Sequence, residues 1–416
     1  MMNDPARKIQ YCKTAAAIVL MAITTACETP KPPATKPAPP AAPAIAKAPP
    51  SVAPAVTPPP VFKAEPQDDT RTLTPAAWSE LPGWQQDNHA ETLPALLASC
   101  RVLSKQTAWQ EACEAAPAVK GRDAAKLFFE NHFTAYRVIS PDGSGEGLIT
   151  GYYEPTLRGS RKPSARSRFP LYGVPDDLLV LDFGDLAPEL KSTAPRARLD
   201  GKRVVPYYNR SQIESGAAPV RGKEIAWVED VVDLFFLQIQ GSGRITLDDG
   251  TTMRVGFADH NGHPYRSIGR VLIDRGELPL ERTSMQGIKA WARDNPAKLT
   301  ELLNQNPRFV FFRELQGSAS SPPGALGVPL TPQRSIAVDP RYVPLGTPVH
   351  IATNWPNTDK PLQRLMLAQD TGGAIRGAVR ADFFWGSGEE AAREAGRMKQ
   401  SLRMWVLLPK NIVQKQ

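Results

Sequence analysis

The chain has 416 residues and a formal net charge of +8, with 50 Lys and Arg against 42 Asp and Glu. That balance suits a polyanionic partner. The absence of a basic stripe or a DNA-binding motif argues against nucleic acid, and no run beyond residue 26 is long and apolar enough to cross a membrane.

Residues 1–26 read as a secretory signal peptide. Arg7, Lys8 and Lys13 form a basic start, and TAAAIVLMAITTA (14–26) is an apolar stretch too short to span a bilayer comfortably. Cys27 follows directly, as the acylated residue of a bacterial lipoprotein would, although Thr24 stands where leucine is usual. Ordinary cleavage nearby is the alternative. Glu28, rather than Asp, favours sorting to the outer membrane. Residues 27–66 are then a Pro- and Ala-rich linker that cannot build a core and prefers extended polyproline-like conformations.

From residue 70 to 135 the pattern is helical, in TPAAWSELPGW, TLPALLASCRVLSK and RDAAKLFFENHF. Cys100 and Cys113, the cysteines of the mature body, predict one disulfide in an exported chain. From 136 the runs are short, β-branched or aromatic: AYRVIS, GEGLITGYYEP, VVPYYN, EIAWVED, VVDLFFLQIQGSG, GRITLDDG and TMRVGFAD. They predict an antiparallel barrel or sandwich. A helical interlude covers YRSIGRVLIDRG and 284–307, and strands resume at RFVFFRE, RSIAVD, TPVHIAT, RLMLAQD and RADFFWG. A helix with Ser387 and Glu390 spaced as a capping box precedes the closing strand SLRMWVLLP. The fold class is α+β, mainly β.

Familiar catalytic hardware is scarce. Of the five histidines only His260 and His263 lie close together, with no third ligand nearby, so no metal or other cofactor is expected. GSGR (241–244) fits either a hairpin turn or a groove-lining turn offering backbone N–H groups to a sugar. Carboxylates are the remaining chemistry. In VRADFFW, alternation places Val379, Ala381, Phe383 and Trp385 on one face and Arg380, Asp382 and Phe384 on the other. An aspartate beside an aromatic wall loses hydration and its pKa rises. Asp370, ending RLMLAQD, could be brought near by the GG turn, while Arg380 and Arg376 would oppose the rise.

GYYEP (151–155), LQIQGSG (237–243), YRSIGRVLIDRGE (265–277), NPRFVFF (306–312), AVDPRYVPLGTPV (337–349) and DTGGAIRGAVRAD (370–382) together resemble the membrane-bound lytic murein transglycosylase A family. The resemblance runs in order from about residue 75 to the end. It implies a double-psi β-barrel domain (67–154 and 317–416, with a 3D domain at 325–410), split by an inserted β-barrel-like domain (155–316), with a glycan groove between them. It further implies a peptidoglycan lytic exotransglycosylase that cleaves the MurNAc-β-1,4-GlcNAc bond without water and leaves 1,6-anhydromuramic acid ends. Asp382 would be acid and then base, Asp370 a supporting carboxylate and Asp339 structural support. Tyr152, Gln240, Ser242 and Gly243 would line the groove. The expected partners are peptidoglycan glycan strands, the membrane through a lipid on Cys27, and cell-wall synthesis proteins. The expected place is the periplasm of a Gram-negative bacterium, as an outer-membrane lipoprotein. Three rivals share some of these features: a hydrolytic glycosidase with Asp370 or Glu154 as second carboxylate, a non-catalytic wall-binding lipoprotein, and an eliminating lyase on another acidic polysaccharide.

Overall fold

The structure is a computed structural model and describes residues 73–183, 194–317 and 320–413. The signal segment, Cys27 and the proline-rich spacer lie outside the described residues.

The described chain opens with β1 (Leu73–Pro75), three helices, α1 (Leu93–Leu103), α2 (Thr107–Ala115) and α3 (Arg122–His132), and strands β2 (Phe133–Val138) and β3 (Gly147–Glu154). A long excursion follows. Its first half holds β4 (Thr156–Ser160), β5 (Phe169–Tyr172), β6 (Leu179–Val180), β7 (Arg196–Asp200), β8 (Arg203–Pro206), α4 (Arg210–Glu214) and β9 (Glu224–Val228). Its second half holds α5 (Val231–Gln240), β10 (Ser242–Leu247), β11 (Thr252–His260), α6 (Ile268–Asp274), α7 (Met285–Asp294), α8 (Pro296–Asn304) and β12 (Val310–Glu314). The chain returns through β13 (Ser335–Val338), β14 (Pro348–Asn354), β15 (Pro361–Asp370), β16 (Arg380–Ser387), α9 (Glu389–Arg397), β17 (Lys399–Pro409) and α10 (Lys410–Val413).

Strands from before and after the excursion share one sheet, in the order β1-β2-β17-β14-β15-β13-β16-β3. Because β17 also pairs with β3, six of these strands (β17, β14, β15, β13, β16 and β3) close into a ring. Closure removes the unpaired edges that would otherwise invite aggregation. The ring is filled by one apolar cluster that includes Ile149, Ile336, Val338, Ile351, Met366, Phe383 and Met404. Val379, Ala381, Phe383 and Trp385 all belong to it, as the alternation along β16 requires. The excursion forms its own sheet, β12-β11-β10-β4-β9-β5, with a smaller one, β6-β7-β8. A separate cluster of Leu157, Leu171, Val228, Leu237, Ile245 and Val255 packs beneath it.

The N-terminal helices cover the outside of the ring. Leu93, Leu96, Cys100 and Leu103 fall on one face of α1, and a disulfide joins Cys100 to Cys113 of α2. Arg334, only 4% exposed, binds this layer to the ring, donating to both oxygens of Asp87 (2.9 and 3.0 Å) and to Glu91 (2.7 Å).

Local expectations fail at four places. VVDLFFLQIQ, predicted as a strand, is helix α5. Asp230 caps it by accepting from the N–H groups of Val232 and Asp233, and Gly241, at φ +78°, ends it in the left-handed conformation. The helix is buried on two sides, with Leu234 and Leu237 in one cluster and Val232 and Phe235 in another. No single apolar stripe therefore marks its period. GSGR accordingly joins a helix to a strand, rather than two strands. TPAAWSELPGW contains the end of β1 and a single 3₁₀ turn at Trp78–Glu80, since Pro82 and Gly83 stop any longer helix. The helix predicted over 284–307 divides at Asn295 before Pro296. Finally, Ser387 ends β16, and α9 starts from Gly388 with no side-chain cap, so the expected capping box is absent.

Candidate active site

Asp370 and Asp382 lie two strands apart, and the strand between them is β13. Ala337 is the register partner of Asp370 in the parallel pairing with β15 and of Asp382 in the antiparallel pairing with β16. Their backbones are therefore roughly 10 Å apart, two strand spacings. The carboxylates are brought together by the sheet order rather than by the GG turn that follows Asp370.

The far side of Asp382 is closed by β3, which pairs parallel with β16. Every second residue of β3 from Thr150 supplies a polar group. Thr150 Oγ1 donates to Asp382 Oδ1 at 2.6 Å, and Tyr152 Oη donates to Asp370 Oδ2 at 2.9 Å. Glu154 Oε2 accepts from Arg244 Nε at 2.8 Å. The other face of the strand, with Ile149 and Tyr153, faces the core. Gly151 lets the strand come close, because a Cβ there would stand 2.7 Å from Trp385 Nε1 and 2.9 Å from Ala395 Cα.

Asp382 is half-buried. Burial is the main influence on its carboxyl, and the charge of Asp370 acts in the same direction. The Thr150 hydrogen bond and the Arg380 charge oppose them, and the balance lifts Asp382 to about 6. Arg380 Nη2 also donates to Thr150 Oγ1 at 2.8 Å, so the threonine passes the guanidinium's influence to the carboxyl. Arg376 is not among the charges acting on either aspartate. Phe384, only 1% exposed, lies against the Tyr152 ring with centroids 5.2 Å apart. Its register partner on β3 is Tyr152, as Thr150 is that of Asp382, so the two aromatics stand one step along from the aspartate on the same face.

Asp370 is also lifted to about 6, by burial, against three donors that hold its charged form: Thr371 N–H, Ala325 N–H and the Tyr152 hydroxyl. The first two meet Oδ1 and the third Oδ2. Tyr152 is itself pushed well above the ordinary tyrosine range by burial and by the Asp370 charge. It stays a phenol that donates.

Asp339, 1% exposed, has a different environment. Burial would raise its carboxyl, but Arg341 (3.0 and 2.5 Å) and the Gly377 N–H (2.9 Å) outweigh it and hold Asp339 below its usual range. Through Gly377 it anchors the loop that carries the chain from Asp370 to Asp382.

The remaining expected residues lie where the excursion meets β3. Gln240 Oε1 accepts from the Tyr153 N–H at 3.1 Å. Ser242 and Gly243 open β10 and pair with Gly256 and Val255. A Cβ on Gly243 would lie 2.5 Å from Leu237 Cδ1 and 3.0 Å from the Pro155 carbonyl oxygen, so packing alone demands glycine there. His260 and His263 are engaged by backbone, His260 Nδ1 with Gly262 N–H and His263 Nε2 with Tyr207 O. Among the described residues no group of three metal-ligating side chains occurs.

Thr150 and the Ala325 N–H were not anticipated from sequence. Thr150 could have been, since alternation through GLITGYYEP places it on the face of Tyr152 and Glu154. Ala325 could not, because it reaches Asp370 from a loop 45 residues away.

Residues 148–313 match the family model of the MltA specific insert domain, and residues 334–408 match that of the 3D domain. A protein named membrane-bound lytic murein transglycosylase A from Vibrio cholerae is 33% identical over 274 residues, covering 64% of this chain and 66% of that one. The match thus spans just under two thirds of that relative. A crystal structure of MltA from Neisseria gonorrhoeae is 42% identical with a TM-score of 0.70, covering 81% of this chain and 92% of that one. A structure of Escherichia coli MltA with bound chitohexaose is 28% identical with a TM-score of 0.63, covering 82% and 95% respectively. With both domain types matched in order across the ring and the excursion, the chain belongs to the membrane-bound lytic murein transglycosylase A family.

Proposed function

We propose that the protein is a peptidoglycan lytic transglycosylase that cleaves the MurNAc-β-1,4-GlcNAc bond without water, using Asp382 alone as acid and then base. The observation that carries this is the contrast among the three carboxylates. Asp382 has one hydrogen-bonded side-chain partner and stands half-buried at about 6. Asp370 is held by three donors. Glu154 is 1% exposed and ion-paired with Arg244. A two-carboxylate hydrolase needs a second group free to attack or to activate water, and neither neighbour suits that role.

In the reaction, protonated Asp382 gives its proton to the glycosidic oxygen as the C1–O bond breaks. The resulting carboxylate takes the proton of the muramyl C6 hydroxyl, whose oxygen bonds to C1 and closes the 1,6-anhydro ring. The attacking hydroxyl is already tethered to the sugar, which replaces a bimolecular step by an intramolecular one. Proton transfer of this kind contributes about 10²–10⁴ in rate. Asp370, steadied by Tyr152, adds negative charge that favours the protonated form of Asp382 in the first step.

The ring fits a double-psi barrel and the excursion a second β domain, with the glycan lying between them across Tyr152, Gln240 and Ser242. The chitohexaose bound to the E. coli protein supports a glycan site of this kind. Among the described residues no helix is long and apolar enough to cross a membrane. Membrane attachment in the periplasm is assigned to lipid on Cys27, which follows the apolar stretch 14–26 in the sequence. The outer membrane is the expected site.

The test is a digest of purified peptidoglycan by the body from about residue 66, as wild type and Asp382→Asn, read by mass spectrometry. Muropeptides ending in 1,6-anhydromuramic acid, lost with the variant, are expected. Reducing ends would point to a hydrolase, and no cleavage by folded wild type would leave a binding protein.

A further inference from the structure

The loop that joins Asp370 to Asp382 carries an exposed arginine, Arg376, and rests against a second, half-buried one, Arg308. A Cβ placed on Gly373 would lie 3.4 Å from the Cζ and Nη2 of Arg308, so the guanidinium sits directly on the loop. Arg308 donates to the His263 carbonyl at 3.3 Å. Among the described residues no ion pair includes either arginine. The acid that acts on Arg308 is Asp259, and Arg196 already holds it at 2.9 Å.

The surrounding field is positive. Burial first, then the charges of Arg376 and Arg196, push the Arg308 guanidinium below its ordinary range. Burial, Arg308 and Arg196 likewise drive His260 down to about 3. Two cations that repel one another without a carboxylate partner are a site whose electrostatics are completed by an anion.

We infer that Arg308 and Arg376 form a subsite for a carboxylate carried on the muramyl residue beside the bond that Asp382 cleaves. The inference rests on the glycan-cleaving function proposed above. The subsite lies on the loop that joins Asp370 to Asp382, where Arg376 stands and Arg308 meets Gly373. Two carboxylate sources have this position. One is the lactyl group of a bare strand, and the other is the peptide stem, whose first three residues reach about 10 Å.

The test measures Kd for three probes: strands with stems, amidase-stripped strands whose lactyl carboxylate has been freed, and the neutral hexamer chitohexaose. Binding is read in the Asp382→Asn background, where cleavage is not needed. Arg376→Ala, Arg308→Gln and the pair are compared, with Arg376→Lys as the charge-conserving control and thermal unfolding as the check on folding. Each lost arginine is expected to cut the preference for a charged strand over the neutral hexamer about tenfold. Arg376→Lys should keep most of it, and salt should weaken it. A cut confined to stem-bearing strands assigns the stem, a cut confined to stripped strands assigns the lactyl carboxylate, which is free only there, and a cut on both charged strands means that the subsite takes either carboxylate. Equal loss on all three probes, or no loss on any, overturns the subsite. If no probe binds the protein even with both arginines intact, the glycan function itself is overturned.

Discussion

Asp382 and Asp370 share a pKa near 6, but their surroundings give them different roles. Asp382 keeps one carboxyl oxygen free of hydrogen-bonded partners, whereas both oxygens of Asp370 accept. Asp370→Asn is expected to fold and lose most turnover, because the replaced charge no longer favours protonated Asp382. Steady-state kinetics beside a circular dichroism spectrum would check this, and unchanged turnover would remove Asp370 from the mechanism. The acid form of Asp382 is needed first, so activity should fall as pH rises above about 6. The same shift has a stability consequence. Each folded-state pKa is raised from 3.8 to about 6, so each carboxyl's contribution is complete below about pH 4 and is lost as pH rises through 6. Asp382→Asn should therefore stabilise the fold at pH 8 by on the order of 2 kcal/mol and do little at pH 4. Melting temperatures at the two pH values decide it. How far this was readable in advance varies by residue. Alternation in VRADFFW put Asp382 opposite the core face, and the aromatic beside it signalled desolvation. Thr150 carried the same signal in β3 but lacked a charge to draw notice.

At the scale of elements, the disulfide ties α1 to α2 across a 13-residue separation. Reducing it, or Cys100→Ser with Cys113→Ser, should cost about 2–3 kcal/mol, read from urea denaturation. The pairing was legible because two cysteines thirteen positions apart, in the body of a chain whose N-terminus reads as a signal peptide, predict one bridge. Helix α5 was not legible. Its valines, phenylalanines and isoleucine carry strand propensity, and burial on two sides overrides it once Asp230 and Gly241 fix the ends. The missing cap on α9 has the same origin. Ser387 is kept extended by β16, where it pairs with Glu154, so its spacing from Glu390 is coincidental.

Across the whole molecule, β3 links ring and excursion, and Glu154 with Arg244 secures the join. Glu154 is only 1% exposed; its Oε2 accepts from Arg244, and its Oε1 lacks a hydrogen-bond partner. Arg244→Met alone should destabilise by about 3–5 kcal/mol, because it strands a buried carboxylate. Adding Glu154→Leu should recover much of that loss, and a double-mutant cycle in denaturant measures the recovery. Equal losses in the single and double variants would mean that packing, rather than charge, is at stake. The sequence by itself determined the strand-rich body, the disulfide and the face on which Asp382 stands, because these follow from periodicities and chemistry within a few residues. It also carried enough ordered motif to mark the family. Only the tertiary structure decided that β13 comes between the two aspartates, that Thr150 and Tyr152 serve one each, and that Arg308 meets the loop joining them. Those neighbours are set by strand order in a closed ring, where hydrogen-bonded partners lie hundreds of residues apart and no local pattern records which strands adjoin.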